Sequence, residues 1–435
     1  MLSLFTLSSS VSPDGHLVIG GCDAVSLASL YGTPLYVFDE GHIREKCREF
    51  KKEFGKYYQN TNVAYASKAC LNRSIAKIMD QEGMELDVVS GGELAIALSA
   101  GFPAERIYFH GNNKSEAEIM FALESGIGHI VADNITELEM LDRLSCRADY
   151  RPDVFIRITP GVDAHTHHHI TTGHSGSKFG VYLEEAPEAI RIAQKLEGVN
   201  LVGLHCHLGS QLHETSPYTD ALEILLKFSK KMHDEEGFIL REISLGGGFG
   251  VNYTLEDSAL PVENYATAIS GLMILLCERL NLPHPKLIIE PGRAIVGPAG
   301  VALYRAGMIK QAKRYEKFVA IDGGMADNIR PALYDARYAV ATAGKMLDEP
   351  DQKVTIAGKF CESGDILSRD VWLPSVETGD ILAVPVAGAY CLPMASNYNG
   401  ALKPAVVMVG GGKSRLVRRR ETYSDLTSLD IEDGA

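Results

Sequence analysis

Apolar residues along the chain fall into two textures. Between about residues 60 and 290, short runs rich in Val and Ile recur at Asn62–Ser67, Leu86–Ser90, Arg106–Gly111, His129–Asp133, Val154–Thr159, Val202–Leu208, Glu242–Gly246 and Lys286–Glu290. They are apolar on both faces, the pattern of parallel strands covered on both sides. Between them, apolar positions recur at helical spacing, as in Ile43–Tyr58, Ser115–Glu124, Ala186–Lys195, Tyr218–Glu236 and Val262–Leu280. Eight alternating β and α units predict an α/β fold built on a closed (β/α)8 TIM-like barrel. A doubly wound open sheet shares the alternation, but the count of eight favours closure.

After residue 296 the helical periodicity fades. Runs at Lys317–Ile321, Lys353–Ile356, Asp380–Pro385, Ala405–Val409 and Ser414–Arg419 are separated by Gly, Pro and Asp, which predicts a C-terminal mostly-β domain. Leu17-Val18-Ile19 also reads as a strand and is expected to join that sheet. The expected division is a barrel over residues 30–295 and a β-rich domain made of 1–29 and 296–435.

Length agrees with two domains, since 435 residues exceed one small core. The net charge of −14 argues against a sequence-independent nucleic-acid surface. The short basic run Arg418-Arg419-Arg420 is read as a solvated strand face. No segment reaches the apolar length of a membrane span. The opening "MLSLFTLSSSVSPDG" lacks a basic n-region, so no signal peptide is expected. Eight scattered cysteines without a CxxC pair fit reduced thiols in a cytoplasm.

Barrel enzymes carry their chemistry at the C-terminal ends of the strands. Polar groups stand at nearly every such end: Lys68, Ser90-Gly91-Gly92, His110-Gly111-Asn112, Arg157, His207, Gly246-Gly247-Gly248 and Glu290-Pro291-Gly292-Arg293. "GGGFG" (246–250) is either an anion nest or a plain strand-to-helix turn. "HCHLGSQ" (205–211) adds a ring able to stack and the Ser210 hydroxyl. Glu290 ends an apolar strand and needs a partner, either a pyridinium N–H or Arg293. A lysine, a phosphate nest, a stacking ring and a carboxylate are the parts that hold pyridoxal 5'-phosphate. The histidine-rich "HTHHHITTGH" (165–174) has no cysteine or ordered carboxylates beside it, so no metal is expected there.

The motifs "YASKA", "LDVVSGGEL", "HGNNKS", "TTG…SKFG", "HCHLGSQ", "GGGFG", "EPGR", "DGGM…RPALY", "CESGD" and "GAY…NYN" stand in this order. Together, from about residue 15 to 430, they resemble the diaminopimelate decarboxylases, a family of the alanine-racemase-like, fold type III pyridoxal phosphate enzymes. The resemblance implies Lys68 as the Schiff-base lysine and His207 stacked on the cofactor ring. Ser210, Gly246, Gly247 and Gly248 would hold the phosphate, completed by Pro291, Gly292, Arg293 and Tyr390, and Glu290 would face the pyridine nitrogen. Cys361 would be the proton donor and Glu362 a substrate contact, both from the other subunit of a head-to-tail homodimer. The implied reaction is decarboxylation of meso-2,6-diaminopimelate to L-lysine and CO2, the last step of lysine biosynthesis.

Substrate choice is a charge argument. A second amino-acid head needs a cation for its carboxylate, a need met by Arg293 and Arg330 with Tyr334, and an anion for its ammonium, which Glu362 supplies; the resemblance implies Tyr390 as a further substrate contact. A decarboxylase of another basic amino acid, ornithine or lysine in the L or the D configuration, would need only the anion and is the alternative. The bland reading of Arg330 is an ion pair with Asp327, and that of Cys361 a small buried hydrophobe. A cofactor-binding regulator without activity would be expected to lose Lys68, Glu290 or Cys361, and all three stand. The chain departs from the family pattern at Ala326, at the Cys-Leu-Pro after Tyr390, and at "GALKPAVV" (400–407).

Overall fold

The computed structural model describes residues 1–162, 177–311 and 317–431, so the 165–174 histidine cluster lies outside it. The chain divides into two compact units, one of residues 46–251 and 258–294, the other of 1–45, 252–257 and 295–435.

The first unit is the barrel. Strands β1 (Thr61–Ala66), β2 (Glu85–Val88), β3 (Ile107–Phe109), β4 (His129–Ala132), β5 (Asp153–Thr159), β6 (Asn200–His205), β7 (Glu242–Ser244) and β8 (Lys286–Ile289) pair in parallel around a closed circle. Closure comes from β8 beside β1, with Ile289 opposite Val63. Ala64, Tyr108, Val131, Phe155, Val202 and Ile288, from six of these strands, form one buried apolar cluster. Helix starts follow local chemistry. Asn72 accepts from the amides of Ser74 and Ile75 and so caps Arg73–Gln81, while Ser115 and Glu118 form a capping box before Glu116–Glu124. Arg73–Gln81 buries Ile75, Ala76, Ile78 and Met79, the apolar positions of one face.

The second unit is the mostly-β domain. Its main sheet runs in the order Ile366–Leu373, Gln352–Ala357, Lys317–Ile321, Gly300–Gln311, Leu35–Asp39, Ala405–Gly410, Lys413–Arg418. Two sequence expectations are corrected. Leu17–Ile19 pairs with Ser10–Val11 and Cys22–Asp23 in a small sheet of its own instead of extending the large one. It still buries Leu17 and Ile19 in the domain core with Val37, Val301 and Val407. Leu35–Asp39, within the span expected to be barrel, lies between Gly300–Gln311 and Ala405–Gly410, and all five of its residues are buried. An apolar strand is stabilised by whichever sheet covers both its faces, and here that sheet is the β domain's. The expectation of a solvated arginine face holds only in part. Arg419 pairs with Asp425 at the surface, but Arg420 is half-buried and donates to the Pro34 carbonyl. Among the described residues no helix is long and apolar enough to cross a membrane.

Candidate active site

The barrel unit gathers its polar groups at the C-terminal ends of the strands. Lys68 sits in a single 3-10 turn directly after β1, its side chain about one-third exposed. The turn is held from the far end of the barrel chain: the Ala66 amide donates to the Pro291 carbonyl. A Cβ on Gly292 would meet Ala66 and Ala69 at 2.9–3.0 Å, so glycine lets "EPGR" approach "YASKA".

Glu290, one residue past β8, is buried at the base of this site. Ser244 Oγ donates to its Oε1 at 2.7 Å, and His205 Nε2 lies 3.3 Å from its Oε2. His110 Nε2 lies 3.6 Å from Oε1. Burial pushes both histidines down, while the facing Glu290 carboxylate pulls them up. A ring nitrogen facing a carboxylate must donate, which places a His205 proton on Nε2. Burial works against the Glu290 charge, yet its histidine and serine neighbours outweigh it and hold the carboxyl well below the usual range. Arg293, the bland partner considered for Glu290, donates instead to Ser210 Oγ at 2.8 Å.

Three residues here had no assignment from sequence. Asp87, in β2, is fully buried with Oδ2 3.8 Å from Lys68 Nζ and Oδ1 3.8 Å from His110 Nε2. His110 and His205 flank Glu290. The signal available for Asp87 was a lone carboxylate inside an apolar strand, which must find a cation or a proton. The loop carrying His110 is tied down by Lys114, a buried cation that pairs with Glu137 at 2.6 Å and donates to the Gly111 and Val131 carbonyls.

The glycine run makes a tight turn after β7. Gly246 and Gly248 have positive φ, +69° and +102°, which turn the chain tightly. The amide of Gly246 donates to Ser244 Oγ at 3.2 Å and that of Gly247 to His207 Nδ1 at 3.3 Å. Those two N–H groups serve the protein, and the second fixes His207 with its proton on Nε2.

The remaining candidate residues belong to the β unit. Arg330 is buried and opens the helix Arg330–Tyr334; Tyr334, at its end, is partly exposed. Asp327, its expected bland partner, is engaged elsewhere: it accepts from Tyr304 Oη at 2.6 Å and from the Gly324 amide at 2.9 Å. Arg330 donates to the hydroxyls of Tyr253 and Tyr338. Cys361 is exposed, not a buried hydrophobe, and its amide donates to Asn399 Oδ1 at 3.2 Å. Next to it Glu362 accepts from the Tyr398 hydroxyl, so "CESGD" and "NYN" form one surface feature. Tyr390 holds φ +61°, unusual for a bulky side chain.

Comparison with known proteins places these observations. Residues 40–297 match the family of pyridoxal-dependent decarboxylases through its pyridoxal binding domain. The chain is similar to a diaminopimelate decarboxylase of Bacillus subtilis, 48% identical over 96% of this chain and 95% of that one. It is 43% identical to a diaminopimelate decarboxylase of Mycobacterium leprae over 98% and 94%. A crystal structure of diaminopimelate decarboxylase from M. jannaschii in co-complex with L-lysine matches with a TM-score of 0.92 at 36% identity, covering 99% of each chain.

Proposed function

The chain belongs to the pyridoxal-dependent decarboxylase family, and from that premise we propose that it converts meso-2,6-diaminopimelate to L-lysine and CO2 with pyridoxal 5'-phosphate, in the cytoplasm. The observation that carries the reaction class is the buried Glu290 carboxyl, held by Ser244 and His205, at the base of a site whose rim carries the Lys68 amine. The residues fit the cofactor. Lys68 Nζ would carry its aldehyde, Glu290 would accept a hydrogen bond from the protonated ring nitrogen, and the His207 ring would lie against its face. Gly248, Ser210 and Arg293 would hold the phosphate, with Pro291, Gly292 and Tyr390 completing the cradle and Gly246 and Gly247 shaping the turn. When bound, the cofactor supplies a covalent anchor for the substrate amine and an electron sink for the pair left by CO2.

The chain's own groups do the rest. Ser244, His205 and His110 keep Glu290 charged, which favours a proton on the ring nitrogen. Asp87 orients the Lys68 amine, the group that would hold the cofactor. Cys361 Sγ delivers a proton to the substrate carbon that lost CO2. A thiol suits that step because its acidity responds to its surroundings. Glu362, with Tyr398 behind it, meets the distal ammonium; Arg293, Arg330, Tyr334 and Tyr390 meet the distal carboxylate. Cys361 and Glu362 are supplied by the second subunit of a homodimer, a reading supported by their exposure on the single chain.

Decarboxylation of ornithine or lysine is the competing reading. It would leave the buried Arg330 cation without an anion. The test is a parallel assay of the purified enzyme on meso-diaminopimelate, L-lysine and L-ornithine, reading CO2 release. Turnover confined to meso-diaminopimelate is expected; equal or faster release from L-lysine overturns the reading.

A further inference from the structure

Arg330 is an unusual buried cation. Its guanidinium lies over two aromatic rings, 4.9 Å from the centre of Tyr253 and 5.6 Å from that of Tyr338. The two rings meet edge to face, 5.2 Å apart at 85°. Nη1 donates to both phenol oxygens, to Tyr253 at 2.9 Å. The Tyr338 hydroxyl in turn lies 3.5 Å from Cys391 Sγ, the cysteine of the unusual Cys-Leu-Pro. Among the described residues no carboxylate forms an ion pair with Arg330. Its hydrogen-bond partners are thus neutral, and its positive charge survives burial uncompensated. A buried charge ordinarily demands an opposite one. Phenols satisfy guanidinium geometry without cancelling its charge, and their rings add cation–π attraction.

We propose that Tyr253 and Tyr338 are positioning residues that clamp Arg330 for an anion supplied by the substrate, and thereby set the preference for a distal amino-acid head over a bare distal amine. The inference rests on the substrate reading above. One nitrogen of the planar fork is spent on the tyrosines, which fixes the plane in which the rest meets a carboxylate. Losing the clamp lets the side chain choose other rotamers and weakens only contacts to that carboxylate.

The test uses two competitive ligands of the holoenzyme. L-lysine keeps the carboxylate of the head that is not decarboxylated; 1,5-diaminopentane has the same chain and both amines without it. In Tyr253→Phe/Tyr338→Phe, the inhibition constant of L-lysine and the KM for meso-diaminopimelate should rise about tenfold. The inhibition constant of 1,5-diaminopentane should move less than about twofold, and kcat should fall less than about threefold. Each single Tyr→Phe variant should show a smaller shift in the same direction, which keeps the test open if the double variant folds poorly. Constants for the two ligands that rise together, or that both stay put, overturn the clamp. Wild-type enzyme that releases no CO2 from meso-diaminopimelate overturns the substrate reading instead, whatever the variants do.

Discussion

Asp87 Oδ2 stands 3.8 Å from Lys68 Nζ, and among the described residues neither oxygen of this buried carboxylate has a hydrogen-bond donor. Burial pushes the Asp87 carboxyl up to about 8. The sign follows: above that pH the group is charged and holds the lysine amine; below it the group is protonated and the hold weakens. The rate at which cofactor-free protein takes up pyridoxal phosphate, trapped on Lys68 by borohydride, should therefore show an inflection near pH 8. Asp87→Asn should remove that inflection and slow loading about tenfold at pH 9. A variant that keeps the wild-type profile removes Asp87 from this role.

A site shared between two chains makes a counting prediction. Lys68→Ala and Cys361→Ala should each lose nearly all turnover alone, the first with loss of the covalent link, the second with the link intact. Mixed under conditions that exchange subunits, they should recover about a quarter of wild-type activity, because half the dimers then hold one intact site of two. No recovery in a mixture proven to contain heterodimers places both groups in one chain.

Glycine is required at position 247 by space. A Cβ there would lie 2.1 Å from the Glu290 carbonyl oxygen, which is backbone and cannot step aside. Gly247→Ala should destabilise the protein by about 2–4 kcal/mol and weaken cofactor binding. Gly271, on the helix Val262–Leu280, has open space around its Cβ position, so Gly271→Ala should be neutral or stabilising by about 0.5–1 kcal/mol. Thermal unfolding of the pair, with and without cofactor, checks both.

Asp327 titrates in the neutral range for the same reason as Asp87. Burial pushes it up to about 6 despite its tyrosine and amide donors. Its folded value exceeds the unfolded one, so it favours the folded state at low pH, and that contribution is lost as pH rises from about 4 to 6. Urea unfolding of Asp327→Asn should show a flatter stability profile over this window, by about 2–3 kcal/mol relative to wild type. An unaltered slope means that the Asp327 carboxyl titrates alike in the folded and unfolded states.

Local pattern carried much of this protein into view. Val/Ile runs with helical spacing between them announced eight parallel strands, and parallel closure brings strand C-termini together. Lys68, His207 and Glu290 were visible because each breaks an apolar run at such an end. The glycines of 246–248 were visible as a tight turn, but which of their amides faced protein was not.

The sequence by itself determined the barrel, the β-rich remainder and the polar strand ends, because periodicity and strand-end chemistry are properties of neighbours along the chain. Tertiary structure alone decided which sheet takes Leu35–Asp39, that Asp87 and His110 approach Lys68 and Glu290, and that Tyr253 closes on Arg330 from 77 residues away. These are choices of partner. An apolar strand suits any sheet that covers it, and a buried charge any group that answers it; only packing the whole chain at close density selects one.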